Sequence, residues 1–295
     1  MPTPKHLPPD LVDPTFTTAR ALGRGASPGR MRARDLHRGV WGVRALRPPE
    51  TLAESCRLIL ERLPQHAFIS HATAGRLHGL PLPARVEFAD DIDVALPRPE
   101  RAPHAHGICG HSLDVGSGDL IWLEGIPVTS AIRTWFDLGK VLAVHDLVAV
   151  GDQLLSRGHE REALGAYVHA RAGQRGVRKL ESAARMLNAR SESPQESRLR
   201  ALLMLAGMDE LTVNEDIHDR HGRFIARVDL VVRSARLVIE YQGDHHRDPA
   251  QWHRDLTRRS KLEAEAWTVV EVGARDLDDP LELAARLRAI VRSRV

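Results

Sequence analysis

The stretch LVIEYQGDHH, residues 237–246, decides the fold. It opens as a buried strand, with Leu237, Val238 and Ile239. It then places a carboxylate, Glu240, in mid-strand, ahead of a tyrosine, an amide, a glycine and two histidines. An acid in an apolar strand needs a partner, because buried charges are paired or bound to a cation. The preceding stretch GRFIARVDLVV (222–232) supplies one. Alternation puts Phe224, Ala226, Val228, Leu230 and Val232 on one face and Ile225, Arg227, Asp229 and Val231 on the other. In the next strand Leu237, Ile239 and Tyr241 share one face, and Val238, Glu240 and Gln242 the other.

The connection RSAR (233–236) sets the register. If it is symmetric about Ser234 and Ala235, residue 232 pairs with 237 and 229 with 240. An odd-length loop or a bulge breaks this register, and Ser-Ala is not a favoured tight turn. In the symmetric case Asp229 and Glu240 stand opposed with Cβ atoms roughly 5 Å apart, and Gln242 lies two residues on. Opposed carboxylates ask for a shared proton or a cation. A hard divalent ion with oxygen ligands, Mg²⁺ or Mn²⁺, resolves the conflict. It also activates water and stabilises charge on a phosphoryl oxygen. The bland alternative is two solvated acids on the open face of an edge hairpin.

Outward from this hairpin the pattern is regular. A helix is predicted over Pro194–Ala206 with Gly207 closing it. Strands follow near 211–217, 223–232 and 236–242, then a helix at 250–265, the strand TVVEV at 268–272 and a helix at 281–291. Ser193-Pro-Gln-Glu196 fits a capping box. Glu196 also shares a helix face with Leu199 and Leu203, which turns its carboxylate toward the sheet.

This αβββαβα order, with Glu196, Asp229 and Glu240-Tyr241-Gln242, resembles the PD-(D/E)XK nuclease superfamily. The string ESRLRALLMLAG, RVDLVV, LVIEYQGDHH and DLTRRSKLEAEAWTVVEV is most similar to the branch related to very-short-patch repair endonucleases. The resemblance covers about 191–292. It implies a restriction-endonuclease-like mixed sheet flanked by helices, with Asp229 and Glu240 holding Mg²⁺ (or Mn²⁺) and Glu196 orienting water or adding a ligand. Gln242 stands where many members have lysine; an amide orients water but carries no charge. His246, just past the strand, fits a general acid or base, and ordinary loop histidines at 245 and 246 are the alternative. A zinc set of His245, His246 and His253 is the lesser possibility. Arg258, Arg259 and Lys261 read as phosphate contacts or as a solvated face, with Asp255 and Arg259 an i,i+4 pair.

The N-terminal half reads as a loose proline-rich tail (1–14), a winged-helix-like module (15–64), a small α+β domain (65–156) and a helical linker (157–190), ahead of the nuclease-like domain at 191–295. The module comprises a helix near 17–22, a second one capped by Ser27 and running to about Leu36, and the ribbon RGVWGVRAL (38–46). Arg24, Arg30, Arg32 and Arg34 lie in or beside the second helix, suited to phosphate contact or to a plain surface. An amphipathic helix at 51–63 shows Leu52, Cys56, Ile59 and Leu63 on one face, and Ser70 caps a helix running to Leu77. ISHATAGRLHGLPLP (69–83) and GIPVTSAIRTWFDLGKVLAVHDLVAVGDQLL (125–155) resemble AbiEi-type antitoxins of type IV toxin–antitoxin systems. That resemblance implies DNA binding, transcriptional autoregulation and a cognate toxin as a partner. His71 and His78 read as packing or surface residues.

Composition bounds these readings. The chain has 295 residues, 42% of them apolar but only 4% aromatic, so its cores are built from Leu, Val, Ile and Ala. The formal charge of +3 is compatible with DNA and does not demand it. Cys56 and Cys109 have no metal-ligand spacing and fit a reducing compartment. The N-terminus lacks an apolar signal region and no stretch is long enough to span a bilayer, so a cytoplasmic protein with no membrane partner is expected. Two functions follow: a metal-dependent DNA endonuclease, or a non-catalytic DNA-binding regulator of antitoxin type that retains a nuclease fold.

Overall fold

The computed structural model describes residues 6–8, 11, 15–40, 42–242 and 249–294, with the backbone alone over 249–255. The expectations for His245, His246 and the side chains of His253 and Asp255 fall outside this set. The chain divides into two compact units, 1–137 and 138–295, each a mixture of helices and mixed sheet. No helix among the described residues is long and apolar enough to cross a membrane.

The first unit runs β1 (Thr15–Thr17), α1 (Thr18–Gly23), α2 (Pro28–Met31), β2 (Val43–Ala45), α3 (Leu52–Leu60), β3 (Phe68–Ile69), α4 (His71–Leu77), α5 (Ala84–Glu87), β4 (Ile92–Pro97), β5 (Ile108–Leu113), β6 (Leu120–Leu123), β7 (Ile126–Thr129) and α6 (Ala131–Leu138). β1 and β2 form an antiparallel ribbon, with a further bridge from His37 to Ala45. Leu11, in the stretch expected to be a loose tail, is instead buried with Phe16, Ala21, Met31 and Leu36. Ser27 caps α2 as expected, accepting from the Arg30 amide at 3.2 Å. The helix stops at Met31, however, and does not reach Leu36. The chain turns there because Arg30 folds back onto Asp35 and His37 enters the bridge to Ala45. A single turn does not make a groove-reading helix.

The larger sheet of this unit has the order β5-β4-β3-β7-β6, with β3/β7 and β4/β5 parallel. The predicted face of α3 packs on it: Cys56 and Ile59 are buried with Ile69, Val94 and Val128, flanked by Leu52 and Leu63. Ser70 stands at the N-cap of α4 but makes no capping bond. Its hydroxyl lies 3.0 Å from His71 Nδ1 instead.

The second unit runs α7 (Val144–Ser156), α8 (Arg161–His169), α9 (Val177–Met186), α10 (Pro194–Leu205), β8 (Thr212–His218), β9 (Phe224–Val232), β10 (Leu237–Tyr241), α11 (Pro249–Ala264), β11 (Thr268–Val272) and α12 (Pro280–Arg292). The stretch 157–190 is helical as expected, with Leu164, Val168, Leu180 and Ala183 buried. Asp146 on α7 pairs with Arg198 on α10 at 2.9 Å, and Asp152 with Arg200 at 2.6 Å. α10 ends at Gly207, whose φ of +85° suits a glycine after a helix.

The sheet order is β11-β10-β9-β8. β8, β9 and β10 are antiparallel neighbours; β10 and β11 are parallel and joined through α11. This is the αβββαβα order read from the sequence. The register also holds: Leu237 faces Val232, Val238 faces Val231 and Ile239 faces Leu230. The connection is a 3₁₀ turn, Arg233–Ala235, closed by Arg236 in the left-handed region.

The expected faces of β9 need one correction. Leu230 and Val232 join Leu199, Leu203, Leu237, Ile239 and Leu283 in one core. Ala226 and Val228 join Val231, Val238, Leu262, Trp267 and Val269 in another. The change falls at Asp229. On the neighbouring strand β8 the corresponding residue is Asn214, whose φ is +46° and which drops out of the ladder; the register shifts again between Ile217 and His218. A left-handed residue in a strand breaks the regular pleat, and asparagine tolerates that region better than most residues.

Candidate active site

The β9–β10 ladder stops at Ile239 and Leu230, one step short of Glu240 and Asp229. The Asp229 carboxylate reaches across to β10, where Oδ2 accepts from the Tyr241 amide at 2.9 Å. Glu240 is 5% exposed. Its Oε2 accepts from Arg258 on α11, while its Oε1 is buried with no hydrogen-bond partner among the described residues. Arg258 also donates to the Arg227 carbonyl at 3.2 Å.

Glu196 arrives from the start of α10. Ser193 caps the helix, accepting from the Glu196 amide at 3.1 Å. The Glu196 carboxylate reaches back to Glu192, not to Ser193, accepting from that amide at 3.0 Å. The same oxygen accepts from Asn214 Nδ2 at 2.9 Å. Glu196 is 8% exposed and adds repulsion to Asp229, so the predicted sheet-facing carboxylate is met. Asn214 is the residue the sequence reading missed. Its amide also donates to the Arg190 carbonyl at 2.6 Å, tying the entry to α10 onto β8.

The electrostatics are those of an acidic pocket. Burial first, then the charges of Glu196 and Glu192, push Asp229 up to about 6, against the Tyr241 amide and Arg258, which pull it down. Burial likewise pushes Glu240 up to about 6, with Asp229 and Glu271 adding to it and Arg258 opposing. Glu271 is the parallel-strand neighbour of Glu240. A buried and a half-buried carboxylate, an oxygen with no partner among the described residues, and an all-oxygen donor set fit a hard divalent cation such as Mg²⁺ or Mn²⁺.

A testable consequence concerns stability. A carboxyl with a raised folded pKa binds its proton more tightly in the folded state, so folding weakens as pH rises from about 4 to about 6. Asp229→Asn keeps an acceptor for the Tyr241 amide and removes the charge. It is expected to stabilise the protein by about 1–3 kcal/mol at pH 8 and by almost nothing at pH 4. Urea midpoints at both pH values check this; an equal effect at the two would contradict it.

The other predicted residues divide. The Gln242 amide donates to the Val272 carbonyl at 2.8 Å, fixing the strand end beside the acids. Arg258 turns inward to Glu240, so it is not held out for a phosphate. Arg259 pairs with Glu263 at 3.0 Å and approaches Glu271 at 3.8 Å. Lys261 is exposed. In the first unit Arg30 is 8% exposed and grips Asp35 with two bonds of 2.8 Å, which removes it from the candidate DNA contacts. Arg32 and Arg34 are exposed. His78 is structural as expected, its Nε2 lying 2.7 Å from the Thr129 carbonyl oxygen. His71 is buried and meets Asp93 and His111.

No family model matches the chain, and no solved structure matches it. The chain is similar to an uncharacterized protein of Mycobacterium tuberculosis, recorded in two strains. The identity is 29% over 260 residues, covering 87% of this chain and 93% of the relative. A match of 260 residues is longer than either compact unit, 1–137 or 138–295, so it takes in parts of both.

Proposed function

We propose that the protein is a metal-dependent DNA endonuclease of the PD-(D/E)XK type, similar to very-short-patch repair enzymes, with its active site at Asp229 and Glu240. The observation that carries this reading is the neighbouring acids Asp229 and buried Glu240, both pushed up to about 6, with Glu240 Oε1 lacking a hydrogen-bond partner among the described residues. Asp229 and Glu240 would hold the Mg²⁺ or Mn²⁺. When bound, such an ion lowers the pKa of water and stabilises charge on a phosphoryl oxygen. Glu196, fixed by Asn214 and the Glu192 amide, sets the third side of the pocket and can orient water. Arg258 brings to Glu240 the positive charge that Gln242, in the usual lysine position, does not provide. Arg258→Ala is therefore expected to slow cleavage by about 10–100-fold, with Arg258→Lys recovering part of the loss.

The test is nicking of supercoiled plasmid by the full-length protein in Mg²⁺ or Mn²⁺. Cleavage unaffected by Glu240→Ala would remove the assignment. A second reading, a non-catalytic DNA-binding regulator of AbiEi type that acts beside a toxin, is favoured by Gln242 itself. It predicts binding to DNA that weakens steeply with salt and shows no metal-dependent cleavage.

A further inference from the structure

We propose that the first unit carries a separate metal site, for a divalent transition metal of the zinc class, built from His71, Asp93 and His111. The three side chains come from different elements. His71 follows β3 at the start of α4, Asp93 lies on β4 and His111 on β5. The parallel register of β4 and β5 pairs Asp93 with Cys109 and Ala95 with His111, which puts Asp93, Cys109 and His111 on one face. One ligand atom from each of His71, Asp93 and His111 lies within 4.8 Å of the others. Ligand bonds of about 2.0–2.2 Å require donor separations near 3 Å, so small side-chain rotations close the set.

The ligands are held in place. Asp93 Oδ2 accepts from the Thr73 amide at 3.1 Å and its hydroxyl at 3.2 Å, and Thr73 Oγ1 accepts from the Asp93 amide at 2.8 Å. This leaves Oδ1, which faces His111 Nε2 at 2.8 Å. The two imidazoles stack with centroids 3.8 Å apart and 20° from parallel. His71 Nδ1 meets the Ser70 hydroxyl at 3.0 Å. Outer hydrogen bonds of this kind fix ligand orientation at metal centres. His71 holds a φ of +46°, a costly region for a residue with a side chain. Ion binding exchanges the Nε2–Oδ1 hydrogen bond for two bonds to the metal.

The donor set of two nitrogens and one carboxylate oxygen suits zinc, cobalt or iron over magnesium, and three protein ligands leave a position open for water or substrate. His111 keeps 21% of its side chain exposed and Asp93 13%, so the open side is within reach of solvent. This separates the site by chemistry from the all-oxygen set of Asp229 and Glu240.

The probe is Co²⁺, titrated into untagged full-length protein and read by visible absorption and bound-metal stoichiometry. With Mg²⁺ in excess to fill the all-oxygen set of Asp229 and Glu240, one Co²⁺ per chain is expected, displaced by Zn²⁺. His71→Ala and His111→Ala should each weaken binding by more than the ~10–100-fold that a lost supporting bond costs, and Thr73→Val by about tenfold. His111→Gln keeps a hydrogen-bond donor for Asp93 without the ring and serves where alanine disturbs folding. Asp229→Asn should leave the Co²⁺ spectrum unchanged, so this site fails or stands independently of the nuclease reading. Absence of stoichiometric binding, or an unchanged spectrum in folded His71→Ala and His111→Gln proteins, overturns the proposal.

Discussion

Alanine at Glu240 is expected to leave the protein folded and to lower the proposed metal-dependent plasmid nicking by about 10³-fold or more, the equivalent of about 4 kcal/mol of lost charge stabilisation. Folding survives because the Glu240 carboxylate is not a stabilising group here. Burial pushes it up to about 6, and one oxygen is buried without a partner among the described residues. Arg258 loses its ion pair, but a third of its side chain is exposed and it keeps the Arg227 carbonyl. Asp229→Ala is expected to match Glu240→Ala, since a site that needs both carboxylates is lost with either. Gln242→Ala should cost far less, because an amide contributes orientation and no charge. Circular dichroism and quantified nicking on the same preparations separate chemistry from folding. Loss of cleavage with loss of the fold, or equal rates in Gln242→Ala and Glu240→Ala, would contradict this division of roles.

Sequence periodicity reached the hairpin for a physical reason. With a side-chain period of two, Val232 opposite Leu237 sets the pairs as far as Leu230 with Ile239, one step short of Asp229 and Glu240. The capping residue Ser193 and the face shared by Glu196, Leu199 and Leu203 were legible in the same local way. What escaped depends on contacts between distant elements. Asn214 looks like an ordinary strand position in TVNEDIH, and its left-handed backbone appears only with Glu196 and Arg190 around it. Arg258 reads as a surface arginine on a polar helix until the crossover from β10 to β11 lays it over Glu240. Arg30 matched a DNA contact by spacing, yet the turn after Met31 folds it onto Asp35. Asp93 and His111 are 18 residues apart and meet through a parallel register that local pattern does not encode.

The second large effect lies away from the acids. Asp152→Ala is expected to destabilise the second unit by about 3–5 kcal/mol, the cost of stranding a buried charge. Asp152 and Arg200 are each 3% exposed and meet at 2.6 Å. The other Asp152 oxygen accepts from the Asn188 amide at 2.6 Å, and Arg200 also donates to the Met186 carbonyl. One ion pair thus joins α7, the end of α9 and α10. Burial is the largest influence on Asp152 and raises its pKa, with Arg200 opposing, so the pair gains little over an apolar packing of the same volume. Removing one partner is different, because the Arg200 guanidinium then has no carboxylate and no route to water. The double change Asp152→Leu with Arg200→Met should therefore recover most of the loss of Asp152→Ala. Because α10 carries Glu196, Asp152→Ala should also loosen the acidic pocket and reduce its affinity for Mn²⁺, whereas the double variant restores it. Urea unfolding followed by circular dichroism, with Mn²⁺ titration on the same variants, measures both. A cost below about 1 kcal/mol for Asp152→Ala would mean that water reaches Arg200 and the junction is not sealed.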